Sequence, residues 1–97
     1  MLVRIVRMTF KEDCIDDFLK LFQKTSMKIR HFTGCTHLEL LREYHHENIF
    51  ITYSYWESEE ALNNYRDSEL FKEVWSNTKV LFAEKPVAFS FKRFVVV

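Results

Sequence analysis

Two stretches of this chain are apolar on both faces of an extended backbone, and no other feature restricts the fold as much. Side chains alternate between faces along a strand. Val3, Ile5, Val6 and Met8 therefore place apolar groups on both sides of a first strand, Leu2 to Phe10. Phe50, Ile51, Tyr53 and Tyr55 do the same in another, Ile49 to Trp56. Sheets covered on both sides read in this way. Helices of the same chain can supply one cover, and the second has to come from elsewhere.

The remaining segments fall into place around these strands. Asp13 offers a cap to a helix carrying Ile15, Phe18, Leu19, Phe22 and Ile29 at helical spacing and running to about Arg30 or His31. Thr33-Gly34 turns the chain at its only glycine, and Cys35 to Arg42 reads as a strand. A polar hairpin connection, Tyr44 to Asn48, leads into the strand Ile49 to Trp56. Ser58 caps a short helix from about Glu59 to Arg66, and Ser68 caps a longer one with Leu70, Phe71, Val74, Trp75, Thr78, Leu81 and Phe82 on one face. Pro86 marks its stop, and Val87 to Val97 forms a long, largely apolar final strand. The order β-α-β-β-α-β, with the second helical element split, predicts a ferredoxin-like α+β fold: an antiparallel sheet with its helices on one face. A second copy is expected to cover the bare face and to pair with or embrace the last strand, which would otherwise be an aggregation hazard.

Composition limits the partners. A core of 97 residues cannot be divided, so residues 1–97 are expected to form a single domain. With 47% hydrophobic residues and ten Phe, the excess apolar surface calls for a ligand cavity or a second subunit. Fourteen basic and fourteen acidic residues cancel, which argues against nucleic acid or an anionic membrane as partner. Cys14 and Cys35 form neither a disulfide framework nor a metal spacing. With no signal-peptide pattern and no transmembrane span in the sequence, a cytoplasmic location is expected. One glycine cannot build a phosphate-binding loop, and no nucleophile elbow, Cys-x-x-Cys pair or His-Glu-x-x-His helix occurs, so no cofactor and no metal is expected. Tyr53 and Tyr55 share a strand face, as in RNA-recognition modules. The basic-Gly-aromatic lead-in of such modules is replaced here by Glu47-Asn48-Ile49.

The run Ile-Phe-Ile-Thr-Tyr-Ser-Tyr-Trp-Glu-Ser (49–58), followed by Glu-Ala-Leu-Asn-Asn-Tyr-Arg-Asp-Ser-Glu-Leu-Phe (60–71), resembles the antibiotic biosynthesis monooxygenase family. The Trp-x-Ser-x-x-Ala junction and the Ser-x-x-Phe start of the next helix carry most of the likeness, which extends over nearly the whole chain. The resemblance implies a dimeric α+β barrel. It also implies one of several activities, among them cofactor-free oxidation of polycyclic phenols and quinols, and heme degradation. The heme-degrading branch looks for an Asn, a Trp and a ligating His where this chain has Val6, Tyr65 and Trp75. The axial imidazole is missing, so heme loses its main anchor.

The cofactor-free branch implies an ionised phenol that passes an electron to O2 in a dry aromatic cavity, so the expected function is oxidation of a quinol-like or polycyclic phenolic small molecule. Phe22, Met27, Tyr65, Phe71, Trp75 and Phe82 are expected to form the apolar wall. His37 is the preferred base, since its neighbours Thr36 and Leu38 point the other way, although a histidine on a half-buried strand is more often a satisfied core or interface residue than a catalyst. Trp56 either orients substrate with its indole N–H or plugs the strand end. In related oxygenases an Asn stands four residues before this Trp, and here that position is Thr52. The same walls would serve a non-catalytic dimer that binds a small apolar aromatic ligand.

Overall fold

The computed structural model describes residues 1–97. Its elements are β1 (Leu2–Thr9), a 3-10 turn (Glu12–Cys14), α1 (Ile15–Arg30), β2 (Cys35–Arg42), β3 (Ile49–Trp56), α2 (Glu59–Arg66), α3 (Glu69–Lys79) and β4 (Val87–Lys92). The strands form one sheet in the order β2-β3-β1-β4, with every neighbouring pair antiparallel. This is the ferredoxin-like α+β arrangement.

Local chemistry accounts for the element ends. Ser58 Oγ accepts from the Ala61 N–H at 3.1 Å and Ser68 Oγ from the Phe71 N–H at 3.1 Å, so each hydroxyl satisfies an orphan donor at the start of α2 and α3. The start of α1 differs from expectation. Asp13 lies inside the 3-10 turn, and the N-cap residue Cys14 makes no side-chain cap. Asp16 and Asp17 still put negative charge in the first turn of α1, where the helix dipole favours it. Helix α3 stops at Lys79, short of Leu81 and Phe82, because the following backbone pairs with the end of β1. Lys11 N–H donates to Leu81 C=O at 3.0 Å, and Ala83 N–H to Thr9 C=O at 2.8 Å. The last strand covers Val87–Lys92 only, and Phe94 to Val97 lie beyond it, exposed.

Two buried clusters lie under the helices. One gathers Ile29, Cys35, Trp56, Leu62 and Tyr65; the other gathers Met8, Phe10, Phe18 and Phe50, with Phe10 and Phe18 stacked at 4.1 Å. On the other face the sheet is bare. Phe89 and Phe91 of β4 are about half exposed, with Val87 on the same strand and Leu41 on the opposite edge strand β2 at 42% each. A register shift between Cys35 and His37 turns Cys35 toward the helices while His37 joins the bare face.

Gly34 is required twice over. Its φ of +91° lies in the left-handed region, and a Cβ there would stand 2.5 Å from the Ala61 Cβ of α2. Gly34→Ala is therefore expected to destabilise the fold by about 1–3 kcal/mol, through strain added to overpacking. The change should appear as a lower urea midpoint at unchanged slope. An unchanged midpoint would contradict this packing.

Candidate functional site

The strands and helices enclose a cavity of about 390 Å3, within the range of small-molecule sites. Its floor comes from the helix-facing positions of the sheet: Arg4, Val6 and Met8 of β1, Leu38 of β2, Thr52 and Ser54 of β3, and Ala88 of β4. Phe18 and Phe22 of α1 close one side. Leu62, Tyr65 and Arg66 of α2 close another, and Phe71, Val74, Trp75 and Thr78 of α3 supply the rest. Alternation along β1 and β3 accounts for the floor, and the i, i+3, i+4 spacing of α3 accounts for its wall.

Few polar groups face this space. Trp56 is 1% exposed, and its indole N–H donates to Ser54 Oγ at 3.0 Å, so that donor is already engaged. Thr78 donates to Val74 C=O at 2.6 Å, whereas the Thr52 hydroxyl has no hydrogen-bond partner within the chain. The Tyr65 ring stacks on Trp56 at 5.0 Å and meets Phe71 edge-on at 5.2 Å. Burial, and secondarily the nearby Cys35 thiol, hold its phenol well above the usual tyrosine range, so it stays neutral. Arg4 Nη1 donates to Ser90 Oγ at 2.9 Å, and Arg66 makes no hydrogen bond or ion pair. Burial, and then the charge of Arg66, push the Arg4 pKa down. No Asp, Glu or His lines the cavity, and no group of three or more potential metal ligands occurs in the chain.

Of the residues singled out from sequence, Phe22, Thr52, Trp56, Tyr65, Phe71 and Trp75 meet at this cavity. Phe82 stands behind the wall, its ring 5.5 Å from that of Trp75, and Met27 is 60% exposed. His37 does not reach the cavity. Leu38 is the residue of that pair facing the helices, so alternation sends His37 to the opposite side. There its ring stacks on Tyr55 at 4.6 Å and its Nε2 lies 2.9 Å from Glu39 Oε1. Glu39 is thus engaged on the bare face. Sequence reasoning passed over Arg4 and Arg66 as site residues. The available signal was that Arg4 shares its parity with Val6 and Met8, which places a charge among helix-facing apolar positions.

Residues 1–75 match the family described as antibiotic biosynthesis monooxygenase. No curated protein matches the sequence at a significant level. Solved structures agree closely in fold. One described as an antibiotic biosynthesis monooxygenase is 19% identical with a TM-score of 0.91, covering 98% of this chain and 100% of that one. A conserved protein from Methanosarcina mazei is 17% identical with a TM-score of 0.90, covering 97% and 94% of the two chains. A protein from Mycobacterium tuberculosis is 15% identical with a TM-score of 0.89, covering 98% and 96%.

The state of Tyr65 has a consequence for stability. The folded chain holds this proton more tightly than the unfolded chain, whose tyrosines release theirs near about pH 10. The unfolded state therefore binds fewer protons above that pH, and stability falls as pH rises further. Tyr65→Phe removes the titrating group. Its denaturation midpoint should decline less steeply than that of the parent chain above about pH 10. Identical slopes would contradict the buried, neutral phenol.

Proposed function

Because this chain belongs to the antibiotic biosynthesis monooxygenase family, we propose that it is a cofactor-independent monooxygenase acting on a quinol-like or polycyclic phenolic small molecule. The observation that carries this reading is the aromatic cavity between sheet and helices, where Phe22, Tyr65, Phe71 and Trp75 can hold a flat ring. An anthrone-like substrate supplies every electron the reaction needs. Oxidising its ring CH2 to C=O releases four electrons. One oxygen atom of O2 enters the new carbonyl and the other leaves as water. The chain's task is then to position the ring, exclude water and favour the anionic form of the substrate. Thr52 offers the free hydroxyl for orientation. Trp56 acts through packing, since its N–H is engaged by Ser54.

A second reading has its own support. The cavity contains no side chain that could serve as a base near neutral pH, and a protein that only holds an aromatic ligand has no need of one. In both readings residues 1–97 act as one domain, and two copies associate through the bare face. Phe89, Phe91 and the Phe94-Val95-Val96-Val97 end are exposed there and at the adjoining chain end, and burying them against a second sheet removes that apolar area from water.

Oxygen uptake by the purified protein, with anthrones, hydroquinones and dihydroxynaphthalenes and no added cofactor, tests the oxidation. Saturable, protein-dependent uptake is expected. Trp75→Ala should lower kcat/KM by about tenfold or more, equivalent to about 1.4 kcal/mol. His37→Ala should leave uptake unchanged because it lies on the opposite face. A background rate throughout the panel would favour the ligand-holding reading, and an effect of His37→Ala equal to that of Trp75→Ala would place the chemistry elsewhere. Sedimentation equilibrium tests the assembly. Twice the chain mass is expected, falling toward the single-chain mass in Phe89→Asp/Phe91→Asp, and a monomeric parent chain would refute the association.

A further inference from the structure

We propose that Arg4 and Arg66 form an anion-binding end of the cavity, so that its ligand is an aromatic molecule carrying an ionised carboxylate. This deepens the reading of the cavity as a substrate site and names the substrate class.

The cavity lining includes two guanidinium groups and no carboxylate. Arg4 stands on β1, a central strand, at a position otherwise given to apolar groups, and it is half-buried. A charge placed there without a counter-ion loses hydration with little return. Its hydrogen-bond partner is the neutral hydroxyl of Ser90, which accepts from Nη1 and fixes the guanidinium without neutralising it. The Arg7–Glu84 and Lys72–Glu69 ion pairs and the His37–Glu39 and His46–Glu43 contacts involve other residues. Arg66 comes from α2 and lines the same space, near enough for its charge to add to that of Arg4 instead of offsetting it. Its place at the C-terminal end of α2 accounts for a favourable dipole interaction, but not for a second cation lining one cavity with Arg4.

Two like charges flanking an apolar chamber are stabilised together by an anion between them. Guanidinium forks match the two oxygens of a carboxylate, whereas a phenolate offers one. A carboxylic acid is also ionised before it enters, so it needs no base from a cavity that has none. Held at the Arg4–Arg66 end, the carboxylate would direct the ring toward Phe71 and Trp75.

Calorimetric titration with naphthoate, the neutral naphthalenemethanol and the cationic naphthylmethylammonium separates the possibilities without turnover. Naphthoate is expected to bind about tenfold or more tighter than the alcohol, as charge-assisted hydrogen bonds allow, and the cation weakest. Arg4→Gln should remove this preference while keeping the affinity for the alcohol, which also reports that the variant is folded. Arg66→Gln, at an exposed position, should weaken naphthoate in the same direction. Equal binding of naphthoate and alcohol, a preference that survives both substitutions, or binding of none of the probes would overturn the proposal. An intact preference for naphthoate in a protein that consumes no oxygen would support this anion site and remove only the oxidation.

Discussion

Trp56 is where the strands and the helices are fastened together. It closes β3, pairs across the sheet with Leu2 and Cys35, and packs with Ile29 of α1 and with Leu62 and Tyr65 of α2. An indole buried this deeply leaves its N–H a single choice, and Ser54, two residues earlier on the same face, accepts it. The chain can then turn directly into α2, because Gly34 admits the close approach of Ala61 and Ser58 caps the helix. From that corner α2 presents Tyr65 and Arg66, and α3 presents Phe71 and Trp75, to the space above the sheet. A structural plug thus sets the position of the cavity wall.

Much of this was legible from local chemistry. The ranges of β2, β3 and α2 follow from alternation, from the hairpin polarity and from the Ser58 cap, signals that act over a few residues. What escaped depends on partners distant in sequence. The end of α3 is set by pairing of its trailing backbone with Thr9 and Lys11, so an apolar period continuing to Phe82 overstated the helix. The site was legible in kind more than in membership. Helical spacing found Phe22, Phe71 and Trp75. His37 was misplaced because alternation shows that two neighbours face opposite ways and not which way either faces. That was decided by the irregularity after Cys35.

The two faces of the sheet therefore carry different chemistry. The helix side holds a cavity with aromatic walls, neutral hydroxyls and two guanidiniums. On the bare side the His37 ring packs on Tyr53 and Tyr55 and contacts Glu39, Arg93 lies over Tyr55, and Phe89 stacks on Phe91. On this account the helix side binds the small molecule and the bare side receives the second copy. The histidine that suggested acid–base work lies on the bare side, and the charged side chains lining the cavity are arginines.

The division between faces is tested most directly by mapping amide NMR shifts during titration with an anthraquinone carboxylate. The account predicts saturable perturbations centred on Arg4, Thr52, Ser54, Val74 and Ala88, with His37, Tyr53 and Phe89 little changed. Perturbations centred on His37, Tyr53 and Phe89, with the cavity residues unmoved, would contradict it.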